Sequence, residues 1–315
     1  MKYITLLIIS ILILGWIPTV TAAQIEDIPG EPKEQRVERL FFYISRWSRK
    51  YEELSGPAIR ELRSMGVDAV AMLMHHLESD DVRERVMMEN LINGIGVDCT
   101  PYLVEALSYP SAVGRSRAAT FLGSVGDARA VQPLADLLAK ESDWTAISSA
   151  IAGLGQLASR GFHVPSEPVA PFAKHEMEPI RRAAVVAFGY IGDAQTIPLL
   201  IEAFNDELFS VRYPAAQALA SFGDAAIEPL AGLLRDGDTM RQALACYALG
   251  LSRSGKAYDY LVTALSSPEP VVRAHAVEGL RNLGDKRIRS TLYKMRFNEL
   301  DFAVLGEIEQ ALASL

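Results

Sequence analysis

Five histidines, two cysteines, a serine-glycine cluster and a set of periodic arginines are the residues in this chain that could carry chemistry. A metal site on one helix needs ligands three or four residues apart, since only those spacings share a face. His75 and His76 are adjacent, so their side chains are expected to point apart. His163 and His175 flank a stretch that reads as a helix, and at about 1.5 Å rise per residue they would stand roughly 15 Å apart. His275 has no neighbouring histidine. The spacing therefore predicts no metal ligands.

Cys99 and Cys246 are too few for a disulfide framework or a four-ligand zinc site. They fall several repeats apart, beyond the roughly 7 Å between Cα atoms that a bridge allows, so no intramolecular disulfide is expected. Cys246 reads as a small buried hydrophobe, and Cys99 as a turn residue open to solvent. The run from Gly250 to Gly255, GLSRSG, lacks the G-x-S-x-G spacing of a nucleophile elbow and follows no strand, so it is read as a turn. Arg115, Arg181, Arg212 and Arg273 recur and could gather phosphate. Acids such as Glu178, Glu207 and Glu269 lie close by, and ion pairing within the fold is the expected use. No catalytic residue, cofactor or metal is assigned.

The elements that position these residues come from an internal repeat. Ala112–Asp127 reads AVGRSRAATFLGSVGD, Pro179–Asp193 reads PIRRAAVVAFGYIGD, Ser210–Asp224 reads SVRYPAAQALASFGD and Pro270–Asp285 reads PVVRAHAVEGLRNLGD. The Gly-Asp pairs end at Asp127, Asp193, Asp224 and Asp285, a period near 31 residues; degenerate copies fall at Ala158-Ser159 and Arg253-Ser254. In each copy small and apolar residues recur at helical spacing, glycine stops the helix, and the aspartate is placed to cap a second helix. Ile227, Leu230, Leu233 and Leu234 mark the second buried face. A helix pair of this size cannot bury its face alone, so stacking into a solenoid is required.

This motif, V-R-x-x-A-A-x-A-L-G-x-x-G-D, resembles HEAT repeats, in particular the short class named after phycobilisome bilin lyases. The resemblance covers roughly 57–315. It implies an all-α fold, an α-α superhelix (right-handed solenoid) of about eight helix pairs, with second helices on the concave face and capping helices at both ends. The pairs are expected near 57–79, 80–109, 110–140, 141–175, 176–205, 206–235, 236–266 and 267–297, with a last helix over 299–314. An N-terminal linker and cap occupies 24–56. Its amphipathic helix, near 33–54, turns Val37, Leu40, Phe41, Ile44, Trp47 and Tyr51 inward and ends at Ser55-Gly56-Pro57. Most such proteins bind other proteins, and a few are enzymes. Deoxyhypusine hydroxylases carry several His-Glu pairs for iron, whereas this chain has one, His175-Glu176. Alkylpurine DNA glycosylases of this fold need a basic groove.

Charge and compartment narrow the function further. Lys plus Arg number 31 against 39 Asp plus Glu, a net charge of −8. An acidic chain is poorly suited to nucleic acid, which is bound through Lys and Arg. Residues 1–23 read as a signal peptide: Lys2, an apolar run from Tyr3 to Ile17, then Thr21, Ala22 and Ala23. The run is too short for a membrane span. The expectation is an extracytoplasmic protein, periplasmic or secreted, with no span left after cleavage.

The function expected is a non-enzymatic protein-protein interaction scaffold that binds a protein or peptide on its concave face. The alternatives are an accessory or catalytic subunit of an extracytoplasmic enzyme, lyase-like or metal-dependent, and an architectural spacer. Two candidate surfaces follow. Asp136, Glu202, Glu228 and Asp259 sit at solvent positions of successive second helices, and Arg289 and Tyr293 end the series with the opposite sign. This stripe would suit a partner with a cationic segment. The long segment of the fourth pair, Ser159–Pro171, carries three prolines and is expected to project with Phe162 and His163 near its tip.

Overall fold

The computed structural model describes residues 25–46 and 49–315; the expected signal segment 1–23 and Trp47 lie outside these. Among the described residues the regular elements are all helical, and none is long and apolar enough to cross a membrane. The chain divides into two compact units, one reaching Leu91 and one running from Ile92 to Leu315.

In the first unit, α1 (Lys33–Ser45) buries Val37, Leu40, Phe41 and Ile44, as its amphipathic pattern requires. Its polar side is tied down by ion pairs. Arg36 reaches Asp27 and Glu61, each at 2.5 Å, and Arg39 grips both oxygens of Glu31 at 2.8 and 2.6 Å. The expected single cap over 33–54 is corrected. α1 stops at Ser45, and α2 spans Arg49–Met65 with Tyr51, Gly56 and Pro57 inside it. Burial explains why Pro57 does not end the helix: Ala58 and Leu62, in the turns that follow it, are fully enclosed. α2 ends before Gly66, whose φ of +64° favours a residue without Cβ. α3 (Val67–Leu73) follows, then a 3-10 turn over Met74–Glu78 and the start of α4 (Val82–Ile95).

The second unit is a stack of paired helices. Its first helices are α6 (Ala112–Val125), α8 (Trp144–Ser159), α9 (Glu178–Ile191), α11 (Phe209–Ser221), α13 (Thr239–Leu251), α15 (Pro270–Leu283) and α17 (Phe302–Ser314). Each packs on the next along the chain. The second helices are α5 (Thr100–Ala106), α7 (Val131–Leu138), α10 (Ile197–Glu202), α12 (Asp224–Asp236), α14 (Ala257–Ala264) and α16 (Arg289–Asn298). In the fourth pair no second α-helix forms. Residues 160–177 form an irregular segment with one 3-10 turn at Ala170–Lys174. Its prolines at 165, 168 and 171 remove the backbone donors a helix would need.

The Gly-Asp joints work as expected at three sites. Asp127, Asp193 and Asp285 accept the backbone N–H of Arg129, Gln195 and Arg287 at 2.9 to 3.0 Å. At the fourth, Asp224 is the first residue of α12 and caps nothing. It accepts Ser254 Oγ at 2.5 Å and the Lys256 ammonium at 2.8 Å from the following repeat. Both cysteines are free and buried, which corrects the expectation that Cys99 faces solvent.

The first helices approach closely where their residues are smallest. A Cβ added at Gly250 would lie 2.3 Å from Gly279 Cα, and one at Gly153 2.7 Å from Ala119 O. Gly250→Ala should therefore lower stability, although alanine in a helix interior is intrinsically better than glycine by about 1 kcal/mol. Gly232→Ala on α12, whose nearest atom is an arginine terminus at 4.0 Å, should raise it. Thermal unfolding of both variants checks the pair; a gain for Gly250→Ala would show that the helices do not meet there.

Candidate functional site

The recurring arginines resolve first. Arg115 donates to both oxygens of Glu141 at 2.6 and 3.0 Å and to the carbonyls of Tyr109 and Pro110, each at 2.8 Å. Arg181 does the same with Asp206 at 2.6 and 3.0 Å and the carbonyls of His175 and Glu176. Arg273 does so with Glu299 at 2.8 and 2.7 Å and the carbonyls of Ser267 and Pro268. Most of the guanidinium donors are spent, which leaves no fork for phosphate. Ion pairing is thus the use, but the partners are not Glu178, Glu207 and Glu269. They lie 25 or 26 residues ahead, in the turn that enters the next first helix. There the acids also accept backbone N–H groups: Ser142 and Asp143 for Glu141, Leu208 for Asp206, Leu300 and Asp301 for Glu299. Arg212 departs from the rule. Its Nε is buried without a hydrogen-bond partner, and its guanidinium lies 6.0 Å over the Phe209 ring. Asp238, 26 residues ahead, caps α13 at Arg241 N.

The acidic stripe is exposed at all four positions, Asp136, Glu202, Glu228 and Asp259, as are Arg289 and Tyr293. It is less free than the sequence suggests. Lys174 neutralises Glu202 at 2.7 Å, Tyr260 donates to Glu228 at 2.7 Å, and Gln132 donates to Asp136 at 2.8 Å.

The irregular segment does not project. Val164, Ser166 and Val169 are buried, and Ser166 Oγ donates to Asp193 Oδ2 at 2.5 Å. Arg160 ties its start to the carbonyls of Gly123 and Gly126 and lies 5.3 Å over the Phe162 ring. Phe162 is half-buried and His163 exposed. The segment fills the place of a missing second helix, so its apolar residues are needed inward.

Sequence reasoning missed the apolar surface on the first helices. A groove of about 550 Å³ runs between α8 and α9, with the small residues Ala152, Gly155 and Ala187 among its lining. Trp144, Val186 and Tyr190 stand on its walls, all exposed, and Tyr190 also borders the irregular segment. Exposed apolar residues also recur at the starts of first helices: Phe209, Met240, Val271 and Phe302, spaced 31 residues apart. That spacing was visible in the sequence, but it lies outside the buried faces on which the repeat was recognised.

The thiols offer no nucleophile. Burial pushes Cys246 up to about 12 and Cys99 up to about 11. His75 and His76 do not point apart: both rings turn toward the Glu38 carboxylate on α1.

Stacked helix pairs with recurring joints define a helical-repeat protein. A family model for HEAT repeats matches residues 70–155, 166–250 and 227–313, and the chain belongs to that family. The interruption between the first two matches, residues 156–165, overlaps the end of α8 and the start of the irregular segment. Among solved structures the chain is similar to YibA of Escherichia coli, at 18% identity and a TM-score of 0.50, over 92% of this chain and 100% of that one. It is also similar to an engineered protein, at 22% identity, a TM-score of 0.40, and 58% and 98% coverage. Human deoxyhypusine hydroxylase in complex with glycerol is similar at 22% identity, a TM-score of 0.36, and 79% and 95% coverage. At these identities the likeness concerns the fold. No curated protein matches the sequence.

The arginine clasps give a pH signature. The Arg273 hydrogen bonds hold the Glu299 carboxyl down at about 2, below its ordinary 4.5. A depressed carboxyl stabilises the fold above the unfolded value and loses that contribution as pH falls from about 4.5 toward 2. Glu299→Gln should therefore cost about 3 kcal/mol at pH 7 and much less near pH 2, read from denaturant midpoints at both. An equal cost at the two pH values would remove the clasp as the cause.

Proposed function

We propose that this chain is an exported, non-enzymatic scaffold that docks a protein or peptide partner. HEAT repeats generally mediate protein interactions, and the observation that carries the reading here is the α8–α9 groove. Soluble proteins seldom leave large apolar side chains grouped in the open unless something covers them. Trp144, Val186 and Tyr190 are so grouped, around small residues, beside the repeat that lacks its second helix. Aromatic residues at the walls of a groove are the type that dominate binding energy when desolvated.

The acidic positions on the second helices add a second element to the same reading. On the concave face of a HEAT stack, Asp136, Glu228 and Asp259 would steer a cationic segment of the partner, with Glu202 damped by Lys174. Export rests on the N-terminal sequence: Lys2, the apolar run and the small residues before Gln24.

The test is affinity capture from the native extracytoplasmic fraction, followed by measured affinity for the captured partner. Trp144→Ala combined with Tyr190→Ala should weaken that affinity at least tenfold at any salt concentration, corresponding to a loss of about 1.4 kcal/mol or more. Changing Asp136, Glu202, Glu228 and Asp259 together to Lys should weaken it mainly at low ionic strength. Unchanged affinity in both variants would place the interface elsewhere. Recovery of the chain itself only in the cytoplasmic fraction, with residues 1–23 retained, would overturn export.

A further inference from the structure

The first unit brings two imidazoles and two carboxylates together. His75 Nε2 lies 3.4 Å from Glu38 Oε1, and His76 Nε2 lies 3.1 Å from Glu38 Oε2. The ligand atoms of Glu38, His75 and His76 all fall within 4.8 Å of one another. On its other side His76 Nδ1 meets Glu84 Oε2 at 2.9 Å. The His76 ring is further held by Phe41, centroid to centroid 4.4 Å, and lies 4.2 Å from the His75 ring.

This arrangement constrains the protons. A carboxylate only accepts, so the Glu84 contact places a hydrogen on His76 Nδ1. In the neutral ring Nε2 then carries a lone pair, and it faces a second carboxylate oxygen. Two lone pairs at 3.1 Å repel unless a positive charge lies between them. That charge is either a second proton on the ring or a metal ion. The donor spacing fits an ion. Zinc bonds of roughly 2.0–2.1 Å set neighbouring tetrahedral donors about 3.3–3.4 Å apart; here the two imidazole nitrogens lie 3.4 and 3.1 Å from different oxygens of the same carboxylate, Oε1 and Oε2, and one donor atom from each residue falls within 4.8 Å of the others. A ligating imidazole usually passes its remaining N–H to a carboxylate, which fixes its tautomer and orientation. Glu84 occupies that place.

We propose that Glu38, His75 and His76 form a zinc site with Glu84 as a positioning residue. Two imidazole nitrogens and one carboxylate oxygen favour zinc over magnesium or calcium, which take oxygen ligands. Three protein ligands leave the fourth position to water. His75 and Glu38 are substantially exposed, with side chains 62% and 43% accessible, so the open position faces solvent. The site goes beyond the scaffold reading and is independent of the α8–α9 groove.

Titration of the metal-stripped full chain with ZnCl2, by calorimetry against a chelator of known affinity, tests the proposal. One zinc ion per chain should bind, with a rise in unfolding temperature. His75→Ala and Glu38→Gln should each weaken binding at least tenfold, and Glu84→Gln by about 10–100-fold. His75 is largely exposed, so His75→Ala should fold, which circular dichroism checks. A chain with His163, His175 and His275 all changed to Ala should bind as the wild type does. Failure to bind zinc would overturn the site and leave the ring proton as the compensating charge. Binding that survives both His75→Ala and Glu38→Gln would place the ion elsewhere. Unchanged affinity in Glu84→Gln would remove its positioning role.

Discussion

The close approach of consecutive first helices is the constraint on which the second unit depends. Where a helix carries Gly or Ala on its inner face, the neighbouring backbone moves in until atoms meet, as at Gly250 and Gly279 or at Gly153 and Ala119. That contact sets the spacing of the repeats, since a larger side chain would wedge the pair apart. Spacing alone leaves each pair free to slide. The arginine clasps remove that freedom: one guanidinium joins the turn before its own helix to the acid in the turn before the next. Those acids are almost wholly enclosed, with side chains 4% to 8% accessible at Glu141, Asp206 and Glu299. Such pairs gain less from mutual attraction than they would lose if one member were left alone. They therefore fix register more than they add net stability.

The repeat was legible because helix periodicity and the Gly-Asp joint are both local. What lay outside local patterning was missed, each time for a physical reason. Pro57 reads as a stop, yet the burial of Ala58 and Leu62 outweighs its cost. The arginine partners sit in turns, where no periodic signal marks an acid as special, so acids nearer in sequence looked equally suitable. The histidine pair was misjudged because the residue that draws the two rings together, Glu38, is on another helix more than thirty residues upstream. The acids of the second helices were placed correctly on the surface, but their hydrogen bonds to Lys174, Tyr260 and Gln132 are tertiary or rotamer-dependent facts. Phe162 and His163 were expected at a free tip. A segment that replaces a helix must instead supply the apolar contacts that helix would have made.

That replacement links the irregular repeat to the groove. In the regular pairs the second helix supplies the buried residues, such as Leu134, Ala135, Leu137 and Leu138 of α7 or Leu292 of α16. Residues 160–177 supply Val164, Ser166 and Val169 instead. The joint is different too, for Ala158 and Ser159 stand where Gly-Asp recurs, and α8 runs on to Ser159 as a 16-residue helix. A longer first helix extends past its neighbours. Along the seam with α9, Gly155 lies close against Ala187, and Trp144 and Tyr190 line the groove beside it. The groove thus borders the departure from the repeat.

The distribution of departures argues for where function concentrates in a repeat fold. A regular solenoid presents nearly the same surface at each step, so it offers a partner little to fix its position along the stack. The exposed residues Phe209, Met240, Val271 and Phe302 illustrate this, since they recur at one interval and any of them is a near substitute for another. An irregular repeat breaks that degeneracy. In the second unit the groove, apart from Thr120 on its edge, the missing helix and the neutralised Glu202 lie between residues 144 and 205. A partner with an apolar side chain for the groove would be held in one register there. Acids spaced along the second helices could attract a cationic segment without deciding where it stops.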